Sequence, residues 1–204
     1  MREVALNRSV VLMILGSALF AGCQPTSKDA AKSIQVASDG STTIVEGSTP
    51  SEEEKMKLVA AKEALFAKLS GRLMEAMSTG GPASAIDICQ KEAPAIALDV
   101  AKSSNVKIGR VGVRLRNVNN QPPNWAKKLV ANKTDTPTFV KLSDQHAAAL
   151  IPIKLQAQCL ICHGSSDTIA PDVQEKLAKL YPQDKATGFS EGELRGWFWV
   201  ESID

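Results

Sequence analysis

Val111-Gly112-Val113-Arg114-Leu115 places apolar side chains at every second position, with Gly112 and Arg114 between them. That is the period of a half-buried strand. The folded residues before it read at helical period instead. Thr49-Pro50-Ser51-Glu52 has an oxygen-bearing cap, a proline at the first helical position and a glutamate three residues after the cap, so a helix is predicted to start there. Leu58, Leu65, Phe66, Leu69, Leu73 and Met77 share one face until Gly80-Gly81 ends the run. A second helix is expected from Pro82, with Ile86 and Cys89 three residues apart on one face. Pro94 lacks the amide hydrogen a continuous helix uses, so a break is predicted there, with a shorter helix reaching about Ser103. Cys89 is thereby placed near a helix end.

After the alternating stretch come the turn-rich residues Asn117-Val118-Asn119-Asn120-Gln121-Pro122-Pro123 and a short helix capped by Asn124. Strands are predicted at Thr138 to Leu142, roughly Ala148 to Leu155, and Glu193 to Glu201. Between the last two lie a Cys/His motif and a helix from Pro171 to Tyr181. Helices at the front and strands toward the back give an α+β class with an antiparallel sheet.

The chain opens with Arg2 and Arg8, an apolar run from Val10 to Phe20, then Ala21-Gly22-Cys23. The run is shorter than the roughly 20 residues needed to cross a bilayer, and small residues before a cysteine mark a processing site. Residues 1–22 are read as an export signal. Residues 23–49, rich in Ser, Thr, Asp, Gly and Lys, are read as a tether that buries too little to order itself. Residues 50–204 remain as one domain, with no internal repeat. The Ala-Gly-Cys ending resembles a bacterial lipoprotein signal, which implies lipidation at Cys23 and a membrane-anchored, periplasmic protein. An ordinary secretory signal with an incidental Cys23 is the alternative. Loss of residues 1–22 leaves 22 basic and 21 acidic side chains of the original 24 and 22. No basic field for phosphates is left, so nucleic acid is not an expected partner.

Cys159-Leu160-Ile161-Cys162-His163 has the spacing of a c-type haem attachment site. Each thiol can form a thioether with one vinyl group, and the following imidazole then meets the iron. A zinc site would use Cys159, Cys162, His163 and Cys89, but adjacent residues seldom point at one ion in structural zinc sites. A redox dithiol belongs in a βαβ setting that is missing here, and a plain disulfide remains as a further alternative. One motif means one haem.

Residues that can face His163 across the iron are Cys89, His146 and the helix methionines Met56, Met74 and Met77. Methionine at such helical positions is ordinarily core filler. His146 follows Ser143-Asp144-Gln145 in a polar connection and reads equally as a solvated loop histidine. Cys89 is left over once two cysteines serve the haem and one the lipid; it reads either as a ligand or as a small buried hydrophobe beside Ile86. Arg114 and Arg116 suit the haem propionates, and equally suit an exposed strand. Trp197, Phe198 and Trp199 read as core strand residues rather than a cofactor cage.

Residues 55 to 203 resemble a family of exported single-haem domains of the Tll type. The likeness rests on Ala85-Ile86-Asp87-Ile88-Cys89-Gln90-Lys91-Glu92-Ala93-Pro94-Ala95-Ile96-Ala97, on Arg114-Leu115-Arg116-Asn117 with Asn120, Pro123 and Trp125, on Cys159 to Gly164, and on Gly192-Glu193-Leu194-Arg195-Gly196. It implies a PAS-like antiparallel β-sheet with long N-terminal helices and covalently bound haem c. It also implies thiolate/imidazole ligation, here by Cys89 and His163.

These readings make the chain a periplasmic, lipid-anchored monohaem cytochrome that senses redox state or a small ligand, or passes single electrons. A thiolate ligand predicts a low reduction potential. A haem peroxidase with a labile distal ligand, or a zinc or disulfide interaction domain, are the competing classes. Partners are the membrane through Cys23 and a redox protein or small ligand that the sequence does not name; a homodimer is compatible with it.

Overall fold

The computed structural model describes residues 42–203. The chain divides into two units, Met1–Lys32 and Ser33–Asp204, and every described residue belongs to the second. The export signal, Cys23 and the tether as far as residue 41 lie outside the described residues. No helix among the described residues is long and apolar enough to cross a membrane.

Helix α1 spans Glu52–Gly80. Its cap is Ser51, two residues beyond the Thr49 predicted. The Ser51 hydroxyl accepts the Glu54 N–H and the Glu54 carboxylate accepts the Ser51 N–H, a complete capping box. Pro50 stands before the cap rather than inside the first turn. Leu58, Leu65 and Leu69 on this helix are buried as the spacing predicts, while Phe66 stays half exposed.

Helix α2, Pro82–Asp87, is followed without interruption by a π-turn, Ile88–Glu92, and then by helix α3, Ala93–Ser104. The break expected at Pro94 is therefore absent. Proline both lacks a donor and crowds the carbonyl four residues back. A wider turn just ahead of it, in which the Ala93 N–H bonds to the Ile88 carbonyl five residues earlier, absorbs that conflict while the helical path continues. Cys89 thus lies inside the π-turn, not at a helix end. Asn105 closes α3 in the left-handed conformation (φ 51°), a role asparagine tolerates.

Four strands form one antiparallel sheet: β1 (Val106–Gly112), β2 (Thr138–Lys141), β3 (Ala147–Lys154) and β4 (Leu194–Ser202), in the order β1-β4-β3-β2. Strand β1 starts earlier than the alternation predicts and ends at Gly112, so Val113 and Leu115 lie beyond it. The strand buries both faces. Val106 and Ile108 join a core with Leu58, Leu65, Leu69, Val100, Phe198 and Val200 under α1 and α3, while Val111 joins Trp125, Leu150, Trp197 and Trp199 on the other face. Gly112 lies opposite Gly196, where a Cβ on Gly196 would stand 2.1 Å from the Val111 carbonyl oxygen.

The other strands fall within a residue or two of their predicted bounds. Trp197, Phe198 and Trp199 are core residues. Residues 124–126 form a 3-10 turn entered from Pro123, not from Asn124, and lead into α4, Lys127–Ala131. The motif lies on a 3-10 turn, Ala157–Cys159, and a single helical turn, α5, Leu160–His163; α6 is Pro171–Leu180. Part of the segment assigned to the tether is docked on the domain: Ile44 bridges Leu142, the Val45 N–H donates to the Lys141 carbonyl, and Thr42 is buried. The edge of β2 offers hydrogen bonds that the composition of residues 42–49 does not announce.

Candidate functional site

The helical layer, β1 and the Cys/His segment enclose a cavity of about 480 Å³, within the roughly 300–1,000 Å³ of cofactor and small-molecule sites. Its walls are largely apolar, with Leu65, Leu69, Ile108 and Phe198 from the main core. Cys89 from the π-turn and Cys159, Cys162 and His163 from the motif all line it. Residues 70 positions apart in the sequence therefore share one chamber.

The motif is held by its backbone. The His163 carbonyl accepts the Phe189 N–H and the Gly164 carbonyl accepts the Gly188 N–H. His163 Nδ1 lies 2.6 Å from the Ala186 carbonyl oxygen. A carbonyl only accepts, so Nδ1 carries the proton and Nε2 keeps its lone pair, the form in which histidine binds a metal. Burial, reinforced by Arg116 and Arg195, holds the imidazole pKa down at about 3, so the ring is neutral. Burial pushes the Cys162 thiol upward, with Arg116 acting in the opposite direction.

Cys89 is flanked by two carboxylates, Asp87 and Glu92, each held in ion pairs. Asp87 takes Lys176 of α6 at 2.6 Å and Lys91 at 3.1 Å. Glu92 takes Arg72 of α1 through both Nε and Nη2 at 2.9 Å. The π-turn is thus tied on one side to α6 and on the other to α1. Tyr181 also lines the cavity and packs with Ile86; burial and the proximity of Cys89 raise its pKa to about 12.

Other predicted residues fall elsewhere. His146 lies outside the cavity, with Nδ1 3.1 Å from Asp144, in a cluster with Asp144 and Glu201. Met56 is outside as well, while Met74 and Met77 reach the lining. Arg114 is not part of the lining: its guanidinium stacks 3.7 Å from the Phe189 ring centre and donates to the Gly188 carbonyl. Arg116 reaches the lining with its donors already committed, to Asp184 at 2.9 Å, the Cys162 carbonyl at 2.6 Å and the Ala186 carbonyl at 3.3 Å. Strand alternation stops at Gly112, which is why neither arginine projects as a strand residue. Among the described residues, the arginines that line the cavity without a carboxylate partner are Arg110 and Arg195. Arg195 stands in Gly192-Glu193-Leu194-Arg195-Gly196 and Arg110 in the strand itself, and no neighbouring residue marks either as a site residue. Asp184, Ala186 and Phe189, which hold the motif, sit in a glycine-containing loop with no pattern to distinguish them.

A family model for Tll0287-like proteins matches residues 26–202. The chain belongs to that family. A solved structure in the Tll0287-like fold, the crystal structure of the cyanobacterial heme-protein Tll0287, aligns with TM-score 0.52 and 26% identity, covering 74% of this chain and 95% of that one. The mixed helical and antiparallel four-stranded architecture is similar to that structure. None of the curated proteins compared with this Tll0287-like chain matches it.

Proposed function

We propose that the chain is an exported, lipid-anchored c-type haem protein. One haem is bonded to Cys159 and Cys162, has His163 and Cys89 as axial ligands, and serves redox or small-ligand sensing or single-electron transfer. The observation that carries this reading is that one largely apolar cavity is lined by Cys89 and by all three functional residues of the attachment motif. The residues fit the group: a neutral imidazole with Nδ1 occupied, two thiols at attachment spacing, and guanidinium groups for acidic substituents. The family's heme-protein relative supports it further. The sequence ending Ala21-Gly22-Cys23 supports export and a lipid at Cys23.

Bound here, haem supplies a one-electron couple that thiolate ligation sets low. The protein's own groups do the positioning. The Ala186 carbonyl fixes the tautomer and plane of His163, Arg116 clamps the motif backbone through the Cys162 carbonyl, and the paired Asp87 and Glu92 hold the turn that presents Cys89. Were Cys89 and His163 both to hold the iron, the site would favour electron exchange or ligand replacement over turnover.

A pyridine haemochrome spectrum of protein matured in a periplasm tests the reading. A c-type signal that disappears in Cys159→Ala with Cys162→Ala is expected. A wild-type protein free of haem c would remove the proposal.

A further inference from the structure

The cavity wall carries more positive charge than the protein neutralises. Burial first, then the charges of Arg116, Arg110 and Arg114, lower the Arg195 pKa to about 10. The carboxylate that faces this group is Asp184, and Arg116 already holds it at 2.9 Å. Arg114 is stacked on Phe189. That leaves Arg110 and Arg195. Arg110 lines the cavity, and among the described residues its side chain has no hydrogen bond or ion pair. Arg195 spends Nη1 on the Arg114 carbonyl oxygen at 3.0 Å, and its Nε is buried without a partner.

Arg110 and Arg195 are half-buried, and a cation withdrawn from water without a counter-charge is disfavoured, while a guanidinium fork matches a carboxylate in two parallel hydrogen bonds. Both guanidinium groups line a chamber whose other walls are largely apolar and which also contains three thiols and an imidazole. The ligand that satisfies all of these has an apolar body and two carboxylates.

Building on the haem reading above, we propose that Arg110 and Arg195, rather than Arg114 and Arg116, hold the two propionates of the haem. Arg116 is left as the brace of the motif backbone and Arg114 as the cover of Phe189. The pair fixes the rotation of the haem in the cavity and neutralises its acidic edge.

The test uses periplasm-matured full-length protein carrying Arg110→Met, Arg195→Met, Arg110→Lys, Arg195→Lys or, as a charge-loss control on exposed α4, Lys128→Met. Haem content and intact mass are measured first, then the propionate-bending bands by resonance Raman. Covalent haem in every variant is expected, with propionate bands shifted in the two methionine variants, partly restored by lysine, and equal to wild type in Lys128→Met. Wild-type bands in haem-loaded Arg110→Met and Arg195→Met would overturn this inference alone, as would the same shift in Lys128→Met. A wild-type protein without haem removes the haem reading and the inference together. Where a methionine variant is not recovered folded, the lysine variant reads the same bands: a changed fork geometry still shifts them, and unchanged bands overturn the inference.

Discussion

The Nη2 of Arg116 donates to the carbonyl oxygen of Cys162 at 2.6 Å. An arginine from the segment after β1 therefore grips the backbone of the attachment motif, while its Nε holds Asp184, whose other oxygen accepts the Ala186 N–H at 2.7 Å. One guanidinium thus links the motif to the loop that orients His163.

Arg116→Met is expected to lower unfolding free energy by about 3–5 kcal/mol, because it leaves the Asp184 carboxylate nearly buried and unpaired. Urea titration of the haem-loaded protein measures it. Asp184→Asn with Arg116→Met should recover part of the loss, since the buried charge is removed with its partner.

Gly196→Ala is expected to cost at least about 1–3 kcal/mol, the range of overpacking in a dense interior. The added methyl would meet the Val111 carbonyl of the paired strand at 2.1 Å, and backbone cannot step aside as a flexible side chain can. Gly71→Ala, where nothing stands within 4 Å, is the matched comparison and should be neutral or stabilising. Thermal melts of the two variants separate the cases.

Glu54 gives a pH dependence with a definite sign. Its carboxyl is held below the ordinary carboxylate range, first by the Lys141 ammonium at 2.6 Å and then by the Ser51 N–H. A lowered folded-state pKa stabilises above the unfolded value, near 4.5, and that contribution is lost as pH falls through the folded value. The melting temperature of wild type should therefore exceed that of Glu54→Gln near neutral pH, and the gap should close as pH falls below about 4. A gap that widens in acid would contradict the assignment.

Met74 and Met77 share the cavity with Cys89, so the reduction potential discriminates among them. Thiolate stabilises ferric iron and methionine raises the potential. Cys89→Met should raise the potential, whereas Met74→Leu and Met77→Leu should leave it near wild type. Redox titration of the three variants gives the answer.

Much of this was legible in the sequence because the decisive features are local. The attachment spacing, the apolar face of α1, the proline start of α6 and the turn residues between strands each announce themselves within a few positions. What was not legible depends on long-range packing. Val106 and Ile108 face the helices while Val111 faces Trp197, so β1 alternates onto two cores and its end is set by Gly196 across the sheet. Pro94 signals a break when read alone, and the π-turn that accommodates it shows only in the hydrogen bonding. Arg114 and Arg116 look like a strand pair; the roles they take come from Phe189 and Asp184, about 70 residues away. His146 was separated from the site only by the fold.

The proposed ligation by Cys89 and His163 is read most directly by the electron paramagnetic resonance spectrum of the ferric protein. Wild type should give a low-spin thiolate/imidazole spectrum, and Cys89→Ala should lose it while retaining covalent haem. An unchanged ferric spectrum in haem-loaded Cys89→Ala would contradict the account, because the cavity would then hold the haem without the residue that the π-turn presents to it.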